Sequence, residues 1–115
     1  MKIRHLRDLP CRQVSHNGAI SKQVYLHSGE CPPLQQVAVA TLKSGDSAPA
    51  HLHEDMAEVF FVESGQLTIV IDHEVYRIEA DGMILIEPGE LHELRNEGSE
   101  PCRLRYFGVL SRGRS

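Results

Sequence analysis

Period-two alternation is the feature that most limits how this chain can fold. Apolar and polar residues exchange places at every second position along much of it, and no amphipathic helical stripe runs for more than a turn or two. The segments that alternate are Ser21–His27, Gln35–Leu42, Glu58–Glu63, Gln66–Asp72, Glu74–Glu79, Met83–Ile86, Leu91–Asn96 and Arg103–Leu110. Turn residues separate them, among them Ser44-Gly45-Asp46, Ser64-Gly65, Asp81-Gly82 and Pro88-Gly89. Glycine supplies positive φ and proline pre-sets a bend, so these breaks have a mechanism. Many short strands at a spacing of about 8–12 residues predict an all-β sandwich or barrel.

The chain has 115 residues, which is the length of one domain. Hydrophobic residues make up 41% and charged residues 24%, an ordinary globular balance that excludes disorder, collagen and coiled coil. Residues 1–20 carry little pattern. They divide the chain into an N-terminal arm at 1–18, a barrel at 19–110 and a tail at 111–115. The arm is a candidate edge strand for this molecule or for a partner, and a C2 homodimer is expected.

The net charge is −4 with no basic block, which argues against nucleic acid as a partner. The charged, interrupted start Met1-Lys2-Ile3-Arg4-His5 lacks the apolar run of a signal peptide. No stretch reaches the ~20 apolar residues of a membrane-spanning helix. Cys11, Cys31 and Cys102 are odd in number and far apart, without a Cys-x-x-Cys pair. They read as free thiols of a cytoplasmic protein rather than as a disulfide framework or a cysteine zinc site.

Seven histidines stand against no tryptophan. His51 and His53 are two apart, so in extended chain both side chains leave on one face, about 6–7 Å apart. Glu58 follows at the head of a strand. It can return to the same point if that strand runs beside the first. His92 shares its face with Leu94 and Asn96, while Glu93 and Arg95 take the other. A histidine on the apolar side needs a partner, and His92 would complete the set from across the barrel. Three imidazoles and one carboxylate suit a divalent first-row metal such as Mn, Fe, Ni, Cu or Zn. The plainer reading is a metal-free barrel that keeps these groups for structural hydrogen bonds.

Other candidates are weaker. Glu54 and Asp55 could flank a mouth but suit a solvated loop. Tyr25 and His27 share a face and could reach a cavity, though core or edge positions suit them better. Either Arg105 or Tyr106 could meet a substrate, but not both, because they lie on opposite faces. His73 belongs to a hairpin turn. His5 and His16 receive no role.

These residues fall into a known pattern. Gly45, His51, His53, Glu58 and Gly65 match Gly, five residues, His-x-His, four residues, Glu, six residues, Gly. That is the first motif of the cupin superfamily, which the chain resembles. The second motif is carried by Gly89, His92 and Asn96 at the right intervals, with Glu87 where proline is usual and Asp81-Gly82 in inverted order. The resemblance covers roughly residues 20–110 and implies a jelly-roll barrel with metal ligands His51, His53, Glu58 and His92. Small cupins of this kind include dioxygenases, sugar-phosphate isomerase-like proteins, lyases and polyketide-pathway proteins. The resemblance therefore implies a metal-dependent enzyme acting on a small polar metabolite. The alternative is a metabolite-binding or sensory module without catalysis.

Overall fold

The computed structural model describes residues 1–14 and 17–111, with backbone alone at 14 and 17–19. Ten strands follow a short 3-10 turn at Leu6–Asp8. They are β1 (Arg12–Val14), β2 (Asn17–Leu26), β3 (Leu34–Leu42), β4 (Ser47–His51) and β5 (Met56–Ser64). Then come β6 (Gln66–Ile71), β7 (Glu74–Glu79), β8 (Met83–Ile86), β9 (His92–Arg95) and β10 (Cys102–Leu110). Two antiparallel sheets face each other, one ordered β1-β2-β3-β10-β5-β8 and the other β4-β9-β6-β7. This is the all-β architecture that alternation predicts, in the jelly-roll form that the resemblance implies.

The eight alternating segments all form strands, with ends displaced by a few residues at most. Two strands escape that reading. β4 is short and contains Pro49, and β1 has three residues. β2 also begins earlier than Ser21. Much of the arm folds back on its own chain. Arg12 pairs with Lys22 across β1 and β2, and Gln23 donates to the carbonyls of Leu6 and Leu9. Arg4 and Lys2 both bind the Glu30 carboxylate. His16 and residues 112–115 lie outside the described residues.

The core fills the space between the sheets. Ala40, Leu42, Phe60, Val62 and Leu104 enter from the larger sheet, and Ala48, Leu67, Ile69 and Leu94 from the smaller. Leu67 and Ile69 point inward as alternation predicts, with Ile71 packed at the core margin. Thr68 is also buried, beneath a ladder in which Arg95 pairs with Glu93 and Glu97, and Arg77 with Glu97. Both faces of β6 are therefore covered. Cys102 is buried in the core, and burial pushes its thiol up to about 11. Cys11 and Cys31 are exposed, and all three cysteines are free.

Two residues lock the barrel's corners. Gly65 joins β5 to β6 at φ +75°, and a Cβ there would lie 2.3 Å from the Pro101 carbonyl oxygen. Only glycine fits both the conformation and the space. Asn96 is 1% exposed. Its amide donates to the carbonyls of Leu42 and Glu100 and accepts from the Gly98 amide, so one side chain ties three segments.

Gly65→Ala is expected to cost about 1–3 kcal/mol of overpacking beyond the cost of positive φ. Gly45→Ala meets open space at φ +89° and should cost only the conformational part. Urea denaturation compares the two, and equal losses would contradict the steric account. Asn96→Ala should destabilise by about 2–4 kcal/mol, because it strands one buried and two part-buried hydrogen-bonding groups. A midpoint unchanged from the parent protein would remove Asn96 from that role.

Candidate metal centre

Each prospective ligand owes its place to a different local cause. His51 ends β4 and stands opposite His92 of β9 in the smaller sheet. His53 follows one residue after the exposed Leu52, on the loop into β5. Glu58 lies on β5, in the larger sheet, on the inward face that Phe60 and Val62 share.

The four side chains meet, but by a route the spacing alone does not predict. Glu58 does not come from a strand beside His51. β5 belongs to the opposite sheet, and the Leu52–Asp55 link crosses between sheets. His92 is not the ligand from across the barrel but the in-sheet neighbour of His51. Alternation fixes which face a residue takes and leaves the partner strand open.

The resulting cluster is tight. One ligand atom from each of His51, His53, Glu58 and His92 lies within 4.8 Å of every other. The ring centroids of His51 and His92 are 4.3 Å apart, and those of His51 and His53 5.1 Å. Glu58 Oε1 stands 3.3 Å from His92 Nε2 and 3.6 Å from His53 Nε2.

Proton assignment follows from the neighbours. His92 Nδ1 lies 2.9 Å from the Glu90 carbonyl, and His51 Nδ1 2.9 Å from the Pro49 carbonyl. A carbonyl only accepts, so both Nδ1 atoms carry hydrogen and donate. In the neutral ring, His92 Nε2 is then a lone pair facing the Glu58 carboxylate. Both Glu58 Oε1 and His92 Nε2 are buried without a hydrogen-bond partner. A proton on His92 Nε2 shared with Glu58, or a metal ion bound by both, satisfies this pair. Burial opposes a proton on His92, but the Glu58 carboxylate and the Glu90 carbonyl outweigh it and raise its pKa. The residues fit a divalent ion: neutral nitrogen donors, one carboxylate, and rings oriented from behind by carbonyls.

Behind the cluster lies a cavity of about 70 Å³ bounded by His51 and Glu58, with Ala40, Ala48, Phe60 and Leu104 among its walls. Tyr106 is the other polar residue on it. Its ring stacks on Phe60 at 5.0 Å, and burial, aided by the Glu58 charge, pushes its hydroxyl up to about 12. The hydroxyl therefore stays protonated near neutrality.

The remaining candidates fall elsewhere. Arg105 points outward, where it pairs with Glu63 and donates to the Tyr25 hydroxyl. Of the two alternatives on β10, Tyr106 is the one that reaches the cavity. Tyr25 shares the outer face with Arg105, and His27 lies past the end of β2. Neither lines the cavity. Glu54 and Asp55 are exposed in the crossing loop, and His73 is exposed in its hairpin at φ +74°. Asn96 belongs to the barrel's corner rather than to the cluster. Among the described residues no helix is long and apolar enough to cross a membrane.

Comparison with known proteins agrees with this architecture. An HTH-type transcriptional regulator of Escherichia coli is 27% identical over 89 residues, 75% of this chain and 29% of that protein. The tetracenomycin polyketide synthase protein TcmJ of Streptomyces glaucescens is 27% identical over 65 residues, 56% of this chain and 44% of its own. The chain spans less than half the length of the curated relatives it matches. Among solved structures, a predicted oxalate decarboxylase from Thermotoga maritima superposes with a TM-score of 0.86 at 17% identity, over 95% of this chain and 99% of that one. A sugar phosphate isomerase from Silicibacter pomeroyi gives 0.78 at 16%, over 94% and 75%. At such identities the likeness is one of fold. The family model described as the cupin domain matches residues 38–109, and the chain is a member of the cupin superfamily.

Proposed function

We propose that His51, His53, Glu58 and His92 bind one divalent transition-metal ion, of the Mn, Fe, Ni or Zn class, and that the protein is a metal-dependent enzyme acting on a small metabolite. The observation that carries this reading is the buried confrontation of Glu58 Oε1 with His92 Nε2 at 3.3 Å, both without a hydrogen-bond partner. A bound ion supplies Lewis acidity to a carbonyl or enediol oxygen and leaves room for an exogenous ligand. The chain does the rest. The Pro49 and Glu90 carbonyls hold two imidazoles in one tautomer. The apolar walls exclude water, and the protonated Tyr106 hydroxyl offers a donor to ligand oxygen. Dioxygenase-, isomerase- and lyase-type reactions share these requirements.

A second reading is a metabolite-binding or sensory module. The partial match to an HTH-type regulator supports it. Metal-dependent oxygen uptake or turnover in a metabolite screen favours the enzyme, and saturable binding without turnover favours the sensor. We also read the protein as a cytoplasmic homodimer. The unpaired thiols suit a reducing compartment, and Phe61, Met83 and Leu85 expose apolar surface on the larger sheet.

Elemental analysis of protein purified without chelator should return close to one metal per chain. His53→Ala and His92→Ala should each lower the affinity by at least ~100-fold while circular dichroism stays β-like. A stoichiometry near zero that persists after adding Mn, Fe, Ni and Zn would sink the metal centre. Light scattering at micromolar concentration should give the dimer mass, and a monomer mass removes that assembly.

A further inference from the structure

The cavity behind the cluster restricts what can bind there. It is small, at about 70 Å³, and its walls are aliphatic and aromatic. Ala40 and Ala48 create the space, because larger residues at either position would fill it. Leu42, Phe60 and Leu104 close it on other sides. Among the described residues no Lys or Arg lines it, so these walls offer no counter-charge to a phosphate or a second carboxylate. Away from His51 and Glu58 its polar contribution is the Tyr106 hydroxyl, whose contact with Gln36 Oε1 is long at 3.4 Å. The four clustered side chains are unequally exposed. His53 keeps 34% of its side chain exposed, Glu58 13% and His92 1%.

Resting on the metal-centre reading, we propose that the ligand pairs a metal-chelating oxygen head with a compact, uncharged apolar group. The head sits at the cluster, and the group occupies the cavity between Ala40, Ala48 and Leu104. A cavity of roughly 150 Å³ admits a benzene ring, so half that volume takes only about two to four carbon atoms. Hydroxyls of a sugar chain would lose water there without gaining partners. Among the described residues lining the cavity, Tyr106 alone carries a hydroxyl donor, which suits at most one oxygen. The substrate class is therefore a short aliphatic chelator rather than a polyol or a phosphate ester.

The test uses Co(II)-loaded full-length protein and alkyl hydroxamates, which share one chelating head. Visible absorption reports binding at the metal without any turnover. Affinity should rise about fourfold with each methylene from aceto- to butyrohydroxamate. It should then fall for hexano- and benzohydroxamate. Replacing the terminal methyl of butyrohydroxamate by hydroxyl should weaken binding at least ~5-fold. Ala48→Val should abolish the gain with chain length, read as the ratio of butyro- to acetohydroxamate affinity within the variant. Leu104→Ala should move the optimum to the larger members.

Affinity independent of chain length would overturn the proposal. So would a hydroxyl-tipped ligand that binds as tightly as its methyl counterpart. The metal-centre reading would survive either result. Failure of Co(II) to bind, or of acetohydroxamate to perturb its spectrum, would instead overturn that reading and the proposal with it.

Discussion

The barrel is organised around a confrontation between two buried acceptors. Glu58 reaches inward from the larger sheet and His92 from the smaller, and they stop 3.3 Å apart. The backbone of each is held by a strand paired on both sides. The His92 ring cannot turn its hydrogen toward Glu58 without losing the Glu90 carbonyl. The polar seam between the sheets therefore needs a donor or an ion shared by the two groups. The surrounding apolar packing strengthens that requirement by excluding water that would otherwise screen it.

This arrangement also shows how a jelly roll gathers a site from a short stretch of chain. His51 to Glu58 spans eight positions, yet its ends sit in different sheets. The crossing loop carries His53 midway. A hairpin would have placed all three in one sheet, with a flat ligand array facing a single direction. The crossing instead surrounds the point from two sides, and β9 brings His92 next to His51.

Much of this was readable from residues alone. Strong alternation with glycine-marked turns located eight strands, and the spacing of the histidines and Glu58 picked out four side chains that do cluster. What alternation cannot encode is strand partnership, which is why Glu58 and His92 exchanged their expected sides. β4 was hidden because Ser47-Ala48-Pro49-Ala50-His51 is poor in β-branched and aromatic residues. Its place in the sheet comes from tertiary pairing with β9, not from its own propensity. On β10, alternation separated Arg105 from Tyr106 correctly but left the inward face undecided. Salt bridging to Glu63 holds the guanidinium outside, and stacking on Phe60 holds the phenol inside. The cavity was invisible in the sequence, because two alanines announce empty space only once their neighbours are known.

Pro49 joins two matters that otherwise look unrelated. It lies at the outer margin of the smaller sheet, where the pairing of β4 with β9 slips between Ala48 and His51. Without an N–H it presents a broken row of donors to any passing strand, and its carbonyl is already committed to His51. The margin that bears His51 is thus interrupted as a template for another strand. The opposite situation holds at β8, where Met83-Ile84-Leu85-Ile86 carries no charge and no proline along the other sheet's rim. The β8 rim therefore lacks both features that interrupt the β4 margin beside His51.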